Sequence, residues 1–190
     1  MKCEHCSNNL CAKKVPIFSF LSDDEIKKIV NLIDKKTYQK GEIILHEGDI
    51  SNTLYIVNEG KIKLSKFTLD GKEQIIRIIS SGEFFGELNL FTENNVNNFT
   101  AYAISDVELC TLIKRNMDEI LLKYPQISLK ILKEVSKRLQ ETEKLAQNLA
   151  TNDIEIRIAY MLQEFIEKYG SETKKGIKID CPINREEMAN

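Results

Sequence analysis

The feature that most constrains the fold of this chain is a regular series of glycines in its first half. Six of the eight glycines lie between residues 40 and 86, at Gly41, Gly48, Gly60, Gly71, Gly82 and Gly86. They separate short runs rich in β-branched and aromatic residues, such as Leu54-Tyr55-Ile56-Val57. Short strands bounded by turn residues at such intervals are typical of an antiparallel roll or sandwich. The sequence therefore predicts a β-rich domain in this region.

Helical patterns flank these strands, and a turn signal divides them. Ser22-Asp23-Asp24-Glu25 has the residue order of a capping box, so we expect a short helix to begin there. Asp70-Gly71 predicts a hairpin with a type I′ turn, because that turn requires residues that tolerate positive φ. The run at residues 101–113, which follows a polar loop, predicts further strand.

A long helix is predicted over residues 127–149, because this stretch contains neither Gly nor Pro. Apolar or small residues recur in it at intervals of 3 and 4, as in a coiled-coil seam, at Leu132, Val135, Leu139, Thr142, Ala146 and Leu149. The same stripe would also suit packing on the core of the helix's own domain. Because the remaining helix surface is densely charged, we favour a parallel pairing of two copies, and hence a homodimer.

From residue 151 onward the pattern is that of a further small unit. Asn152-Asp153-Ile154-Glu155 resembles a capping box, its helix should end at Gly170, and a brief strand is expected at residues 177–180. A second capped helix begins at Asn184, so we expect the natural protein to continue beyond Asn190. The predicted organisation is an N-terminal arm at 1–14, a β domain at 15–124, a dimerisation helix at 125–150 and an incomplete domain at 151–190.

Composition limits the class of protein. The chain has 190 residues, a net charge of −2 and five cysteines. No apolar run approaches the roughly 18 residues of a membrane span, and no signal region precedes the first strand, so we expect a cytoplasmic protein without a membrane partner. The motifs G-x-S-x-G, P-loop and H-E-x-x-H are absent, which argues against an enzyme.

Four cysteines form the candidate metal site. Cys3, Cys6 and Cys11 have the spacing C-x2-C-x4-C, and Cys110 follows in an apolar strand-like run. Four thiolates can complete either a tetrahedral zinc site or an iron–sulfur cluster. Zinc held by the three close cysteines with His5, and thiols without metal, are the alternatives. We interpret Cys181 as a packing residue and His46 as a surface histidine.

A family resemblance connects these motifs. The motifs in question are Lys40-Gly41-Glu42, Glu47-Gly48-Asp49, Asp70-Gly71-Lys72-Glu73, Gly82-Glu83-Phe84-Phe85-Gly86-Glu87-Leu88 and, near the end, Ile183-Asn184-Arg185-Glu186-Glu187. In this combination the chain resembles Crp/Fnr transcription regulators over residues 15–190. The resemblance implies an α+β fold: a cyclic-nucleotide-binding-type β-roll, or jelly roll, a long dimerisation helix and a truncated winged helix-turn-helix. It also implies a homodimer that binds promoter DNA and RNA polymerase, with the DNA-reading helix beyond Asn190.

Two sets of residues bear on which signal a protein of this family would sense, and the first is the ligand pocket of the β-roll. Gly86, Glu87 and Thr142 match the residues with which cyclic-nucleotide binders of the family hold their ligand. Asn97 and Asn98, however, stand where those binders have an arginine that pairs with the phosphate and a small hydroxyl residue. An amide carries no charge, so a buried phosphate would lack its cation. This departure argues against cyclic nucleotide binding and favours Gly82–Leu88 as a purely structural turn.

The cysteines give the other indication. Cys3, Cys6, Cys11 and Cys110 resemble the ligands of the oxygen-labile [4Fe-4S] cluster in the Fnr branch. By that resemblance the protein senses oxygen, nitric oxide or redox state, and loss of the cluster weakens its dimer. Two alternatives remain: a regulator of the same fold that senses a small ligand in the roll, with its cysteines on structural zinc, and a cupin-like metalloenzyme. Because residues 151–190 carry a net charge of −2, we expect residues 1–190 alone not to bind DNA specifically.

Overall fold

A computed structural model describes residues 15–151, 154–174 and 176–183 of the chain. Cys3, Cys6 and Cys11, the predicted start of the second capped helix at Asn184 and the side chain of Leu149 lie outside the described residues. The chain divides into two compact units, with the division between Lys130 and Ile131. Each unit is described by itself.

The first unit is mainly β-structure, in agreement with the glycine pattern. Its elements in chain order are α1 (Asp23–Val30), β1 (Asp34–Tyr38), β2 (Ile43–Leu45), β3 (Thr53–Glu59), β4 (Lys61–Phe67), β5 (Glu73–Ser80), β6 (Phe84–Phe85), α2 (Glu87–Phe91), β7 (Thr100–Ala103), β8 (Val107–Ile113) and α3 (Lys114–Lys123). The long helix α4 (Pro125–Thr151) begins in this unit and continues into the second, which confirms the predicted long helix.

The strands form two four-stranded antiparallel sheets whose inner faces share one core. The strand orders are β1-β8-β3-β6 and β2-β7-β4-β5. The core combines side chains from both sheets: Leu45, Tyr55, Val57, Ile62, Leu64, Ile79, Phe85, Ala101, Ala103, Val107 and Leu109. Because side chains alternate along a strand, Val107 and Leu109 point inward from β8 while Cys110 points to the other face. The predicted β-roll is confirmed.

The capping box at the start of α1 is also confirmed. The backbone N–H and the hydroxyl of Ser22 both donate to Glu25 Oε2, each at 2.8 Å. The backbone bond, followed by the hydroxyl bond, lowers the pKa of Glu25. Val15, Ile17, Phe18 and Leu21, which precede α1, are buried. The first described residues are therefore anchored in the core of the unit.

The hairpin between β4 and β5 is confirmed, but the predicted type I′ turn is wrong. The loop contains five residues, and Gly71 N donates to Thr68 O at 2.9 Å, so Leu69 and Asp70 are the central residues of the turn. A type I′ turn needs positive φ at both central residues. Asp70 does not have it, whereas Gly71, the residue after them, has φ +80°. The Thr68 hydroxyl, which accepts from Lys72 N at 3.1 Å, supports the longer loop.

The single strand predicted at residues 101–113 is two strands in different sheets. β7 belongs to one sheet and β8 to the other, and residues 104–106 connect them. Ile104 N donates to Lys61 O at 3.0 Å, and Ser105 Oγ accepts from Lys61 N at 2.9 Å. These bonds from β4 hold the corner where the chain crosses between the sheets. Ser105-Asp106 is the polar signal in the sequence that marks this corner.

The second unit contains the rest of α4, α5 (Ile154–Tyr169) and a hairpin of β9 (Gly170–Thr173) and β10 (Gly176–Ile179). The end of α5 at Gly170 and the strand near residue 177 agree with the predictions. β9 was not predicted, because Gly-Ser-Glu-Thr has no apolar alternation and forms a strand only by pairing with β10. In the described parts of the chain, no helix has both the length and the apolar character needed to cross a bilayer.

Candidate sensor site

Of the four predicted cluster ligands, the structure describes Cys110. This residue is 5% exposed and lies on β8, between Lys35 of β1 and Ile56 of β3 in the register of the sheet. Its side chain points away from the core that the two sheets share, on the same face of β8 as the buried Leu112. Among the described residues, no group of three or more His, Cys, Asp or Glu is arranged to hold a metal ion.

The strand that carries Cys110 leads directly into the helices of the first unit. β8 ends at Ile113, α3 begins at Lys114, and α4 begins at Pro125 after a single intervening residue. Asn116 of α3 donates from Nδ2 to Leu32 O at 3.1 Å, which ties α3 to the segment after α1. Cys110 therefore lies on the strand that precedes α3 and the start of the long helix.

The turn before α2 corresponds to the predicted ligand turn of the roll. Gly86 has φ +82°, and a Cβ on it would lie 2.6 Å from Thr53 O and 3.2 Å from Tyr55 Cδ2. Both the positive φ and the close backbone approach require glycine here. Glu87, the first residue of α2, is 6% exposed. These facts account for Gly86 by the local fold and agree with its interpretation as a structural turn.

Asn97 and Asn98 lie in very different environments. Asn97 is 1% exposed, and its Nδ2 donates to His46 O at 2.9 Å and to Phe99 O. Its backbone N–H donates to Asp49 O, and its carbonyl accepts from Gly48 N, both at 2.8 Å. Asn98 is exposed. Asn97 therefore holds the loop after β2 against the segment that precedes β7. The position where the family resemblance predicts a phosphate-binding cation is occupied by a neutral amide with a structural role.

Arg77 is a roll residue that sequence reasoning missed. It pairs with Leu64 in the register of β4 and β5, and Leu64 belongs to the shared core. Directly opposed residues on antiparallel strands share a face, so Arg77 is a half-buried cation on the inner side of the roll. The run Ile75-Ile76-Arg77-Ile78-Ile79 has no alternation of apolar and polar residues that could show which face of β5 points inward. A register irregularity at Leu64 and Ser65 also interrupts the pairing of β4 with β5.

The predicted seam residues of α4 lie on a helix with exposed apolar side chains. Leu132 is 60% exposed and Leu139 is 58% exposed, Val135 is partly buried, and Ala146 and Thr142 are exposed. Leu129 and Leu145, which were not assigned to the seam, are similarly exposed. Thr142 Oγ1 donates to Arg138 O at 2.9 Å, within the helix. An apolar stripe of this kind can bury itself by packing against another helix.

The family relationship follows from this fold together with sequence comparisons. Residues 35–124 match the cyclic nucleotide-binding domain family. The chain is 31% identical to the probable transcriptional regulator flp of Lacticaseibacillus casei over 163 residues. The aligned region covers 86% of this chain and 74% of that protein. It is 24% identical over 169 residues to the anaerobic regulatory protein of Bacillus subtilis, covering 89% of this chain and 71% of that protein.

A solved structure gives the same result. The crystal structure of the Thermus thermophilus catabolite activator protein superimposes with a TM-score of 0.65 at 25% identity, over 80% of this chain and 71% of that one. A β-roll sensor domain followed by a long helix therefore defines the class of this protein. The chain belongs to the Crp/Fnr family of transcriptional regulators.

Proposed function

We propose that this protein is a homodimeric, DNA-binding regulator that responds to oxygen, nitric oxide or redox state through a cluster held by Cys3, Cys6, Cys11 and Cys110. The observation that carries the proposal is the position of Cys110. It is buried on the strand that leads through α3 into the long helix α4, so a change at this thiol would act on the strand that precedes the helix with the predicted dimer seam. The name of the Bacillus subtilis relative, anaerobic regulatory protein, is consistent with such a signal.

The donor set fits an iron–sulfur cluster. Four cysteine thiolates are the usual ligands of a [4Fe-4S] centre, and solvent exposure is one of the properties that set its reduction potential. Cys110, the described member of the proposed ligand set, is 5% exposed. When bound, the cluster would supply a group that oxidants degrade. The protein's own part is to connect an N-terminal ligand set to the roll, so that loss of the cluster removes a constraint between them.

The dimer and the DNA-bound state are part of the same proposal. The exposed leucines of α4 would be buried against a second copy, and the winged helix-turn-helix expected from the sequence would bind promoter DNA and bring the protein to RNA polymerase. A cluster that favours the paired form would favour DNA binding, because two half-sites are contacted at once.

Anaerobic purification tests the proposal, with Cys110→Ser and Cys181→Ser as a matched pair. Cys181 is half-exposed and is not a proposed ligand. We expect the wild type and Cys181→Ser to contain about four iron atoms per chain and a visible absorption band that bleaches in air. Cys110→Ser should lose most of the iron. A colourless wild type that contains zinc would refute the cluster, and iron retained by Cys110→Ser would refute the four-cysteine assignment.

A second candidate, a regulator that binds a small ligand in its roll with structural zinc on the cysteines, is favoured by one observation. Asn89 Nδ2 and Asn97 Oδ1 are buried and have no hydrogen-bond partner among the described residues, and both belong to the segment between β6 and β7. A neutral polar ligand could satisfy them. Calorimetric titration with cyclic AMP tests one charged ligand, and we expect no binding, because Asn97 supplies no charge for the phosphate. Zinc rather than iron in the anaerobically purified protein would favour this second candidate.

A further inference from the structure

The segment that follows the cysteine arm is fixed from two sides. Val15, Ile17, Phe18 and Leu21 are buried with at most 5% exposure. Phe18 N donates to Val15 O at 2.9 Å and Leu21 N donates to Phe18 O at 3.1 Å, so residues 15–21 form two consecutive turns. We call these residues the anchor segment. Cys11, a proposed cluster ligand, lies only four residues before it.

One residue of the long helix binds the outward side of the anchor segment. Lys130 Nζ donates to Pro16 O and to Ser19 Oγ, both at 3.2 Å, and lies 5.1 Å from the centre of the Phe20 ring. Ser19 Oγ donates in turn to Pro16 O at 3.0 Å. A single ammonium group thus joins three positions of the segment through two charged hydrogen bonds and a cation–π contact.

Lys130 is also adjacent to the apolar stripe of α4. Leu129 precedes it and Leu132 follows two positions later, and each is 60% exposed. A helix is stiff over a single turn, so a displacement of Lys130 by the anchor segment also displaces these leucines. The helix that carries the predicted dimer seam is therefore tied to the anchor segment through the side chain of Lys130.

We propose that Lys130 is the positioning residue that couples the cysteine arm to the dimer seam. A group bound by Cys3, Cys6 and Cys11 restrains the anchor segment, and Lys130 passes that restraint to the first turns of α4. The inference rests on the proposed cluster. Because the contacts of Lys130 are partly solvent-exposed, we expect each to change an equilibrium by roughly two- to fivefold.

The test compares Lys130→Met, Lys130→Arg and the control Lys133→Met in the full chain. Lys133 is exposed on the same helix and, among the described residues, has no hydrogen bond to the anchor segment, so the control removes the same charge without removing those bonds. Sedimentation of anaerobic, iron-loaded protein and of air-bleached protein gives the dimer dissociation constant in each state. The ratio of the two constants measures the coupling. Hydrogen exchange of the Phe18 and Leu21 amides gives a second readout that needs no cluster.

We expect Lys130→Met to keep its iron but to reduce the ratio by about fivefold, with faster exchange at Phe18 and Leu21. Lys130→Arg, which keeps a cation and its donors, should recover most of the ratio, and Lys133→Met should match the wild type. Wild-type protein without iron would overturn the proposed function. Iron-loaded Lys130→Met with an unchanged ratio, or unchanged amide exchange in this variant, would overturn the role of Lys130 alone.

Discussion

Replacement of Asn97 by Ala tests whether this residue is a structural brace or a ligand-binding group. Its Nδ2 donates to His46 O and Phe99 O in a site that is 1% exposed. His46 O also accepts from Asp49 N at 3.3 Å and keeps that partner in the variant, so losing its bond to Asn97 should cost about 1 kcal/mol. Phe99 O has no other hydrogen-bond donor among the described residues, so leaving it unpaired should cost roughly 2 kcal/mol.

One effect opposes this loss. The variant also removes Asn97 Oδ1, which has no hydrogen-bond partner among the described residues, and this should return about 1 kcal/mol. The expected net destabilisation of Asn97→Ala is therefore about 2 kcal/mol, or a decrease in Tm of roughly 4–8 °C for a chain of this size.

Thermal and urea unfolding, followed by circular dichroism, would measure the destabilisation by Asn97→Ala, with Asn98→Ala as the control. Asn98 is the exposed neighbour of the same residue type, so its replacement should change stability by less than about 0.5 kcal/mol. Equal stabilities for the two variants would refute the structural account of Asn97. A role of Asn97 in binding a ligand would then replace the structural role.

Three further outcomes follow from the described contacts. Gly86→Ala should lower the free energy of unfolding by at least about 2 kcal/mol, because the new Cβ adds a clash with Thr53 O to the strain of a left-handed φ. Gly71→Ala, at φ +80° with open space around it, should lower it by only about 1 kcal/mol. Equal losses in urea unfolding would contradict this difference. Glu25→Gln should flatten the acid side of the stability profile. The folded-state pKa of Glu25 is lowered, so its contribution to stability is complete above the ordinary glutamate pKa of 4.5 and disappears as the pH falls through the lowered pKa. A profile below pH 4.5 identical to that of the wild type would exclude this contribution. Leu139→Glu should convert the proposed dimer to monomer in sedimentation, because it places a charge in the seam; a dimer that persists would exclude Leu139 from the interface.

Local patterns in the sequence were sufficient for much of the fold. The glycines between residues 40 and 86 mark turns because several have positive φ, which glycine adopts without strain. The capping box at Ser22 and the uninterrupted helix from Pro125 depend on neighbours within four residues, so residue order alone predicts them. Runs of β-branched and aromatic residues between the glycines predict strands, but they do not tell which strand joins which sheet.

For the candidate site, the sequence by itself determined the chemistry and the tertiary structure determined the geometry. Residue order showed four thiols, an amide where an arginine was expected and a helix with an apolar stripe. Only the fold decided that Cys110 points away from the roll's core, that Arg77 faces into it and that Lys130 reaches Pro16, 114 positions earlier in the chain. The physical reason is that hydrogen-bond register, bulges and long-range packing set side-chain direction, and these depend on residues far apart in sequence.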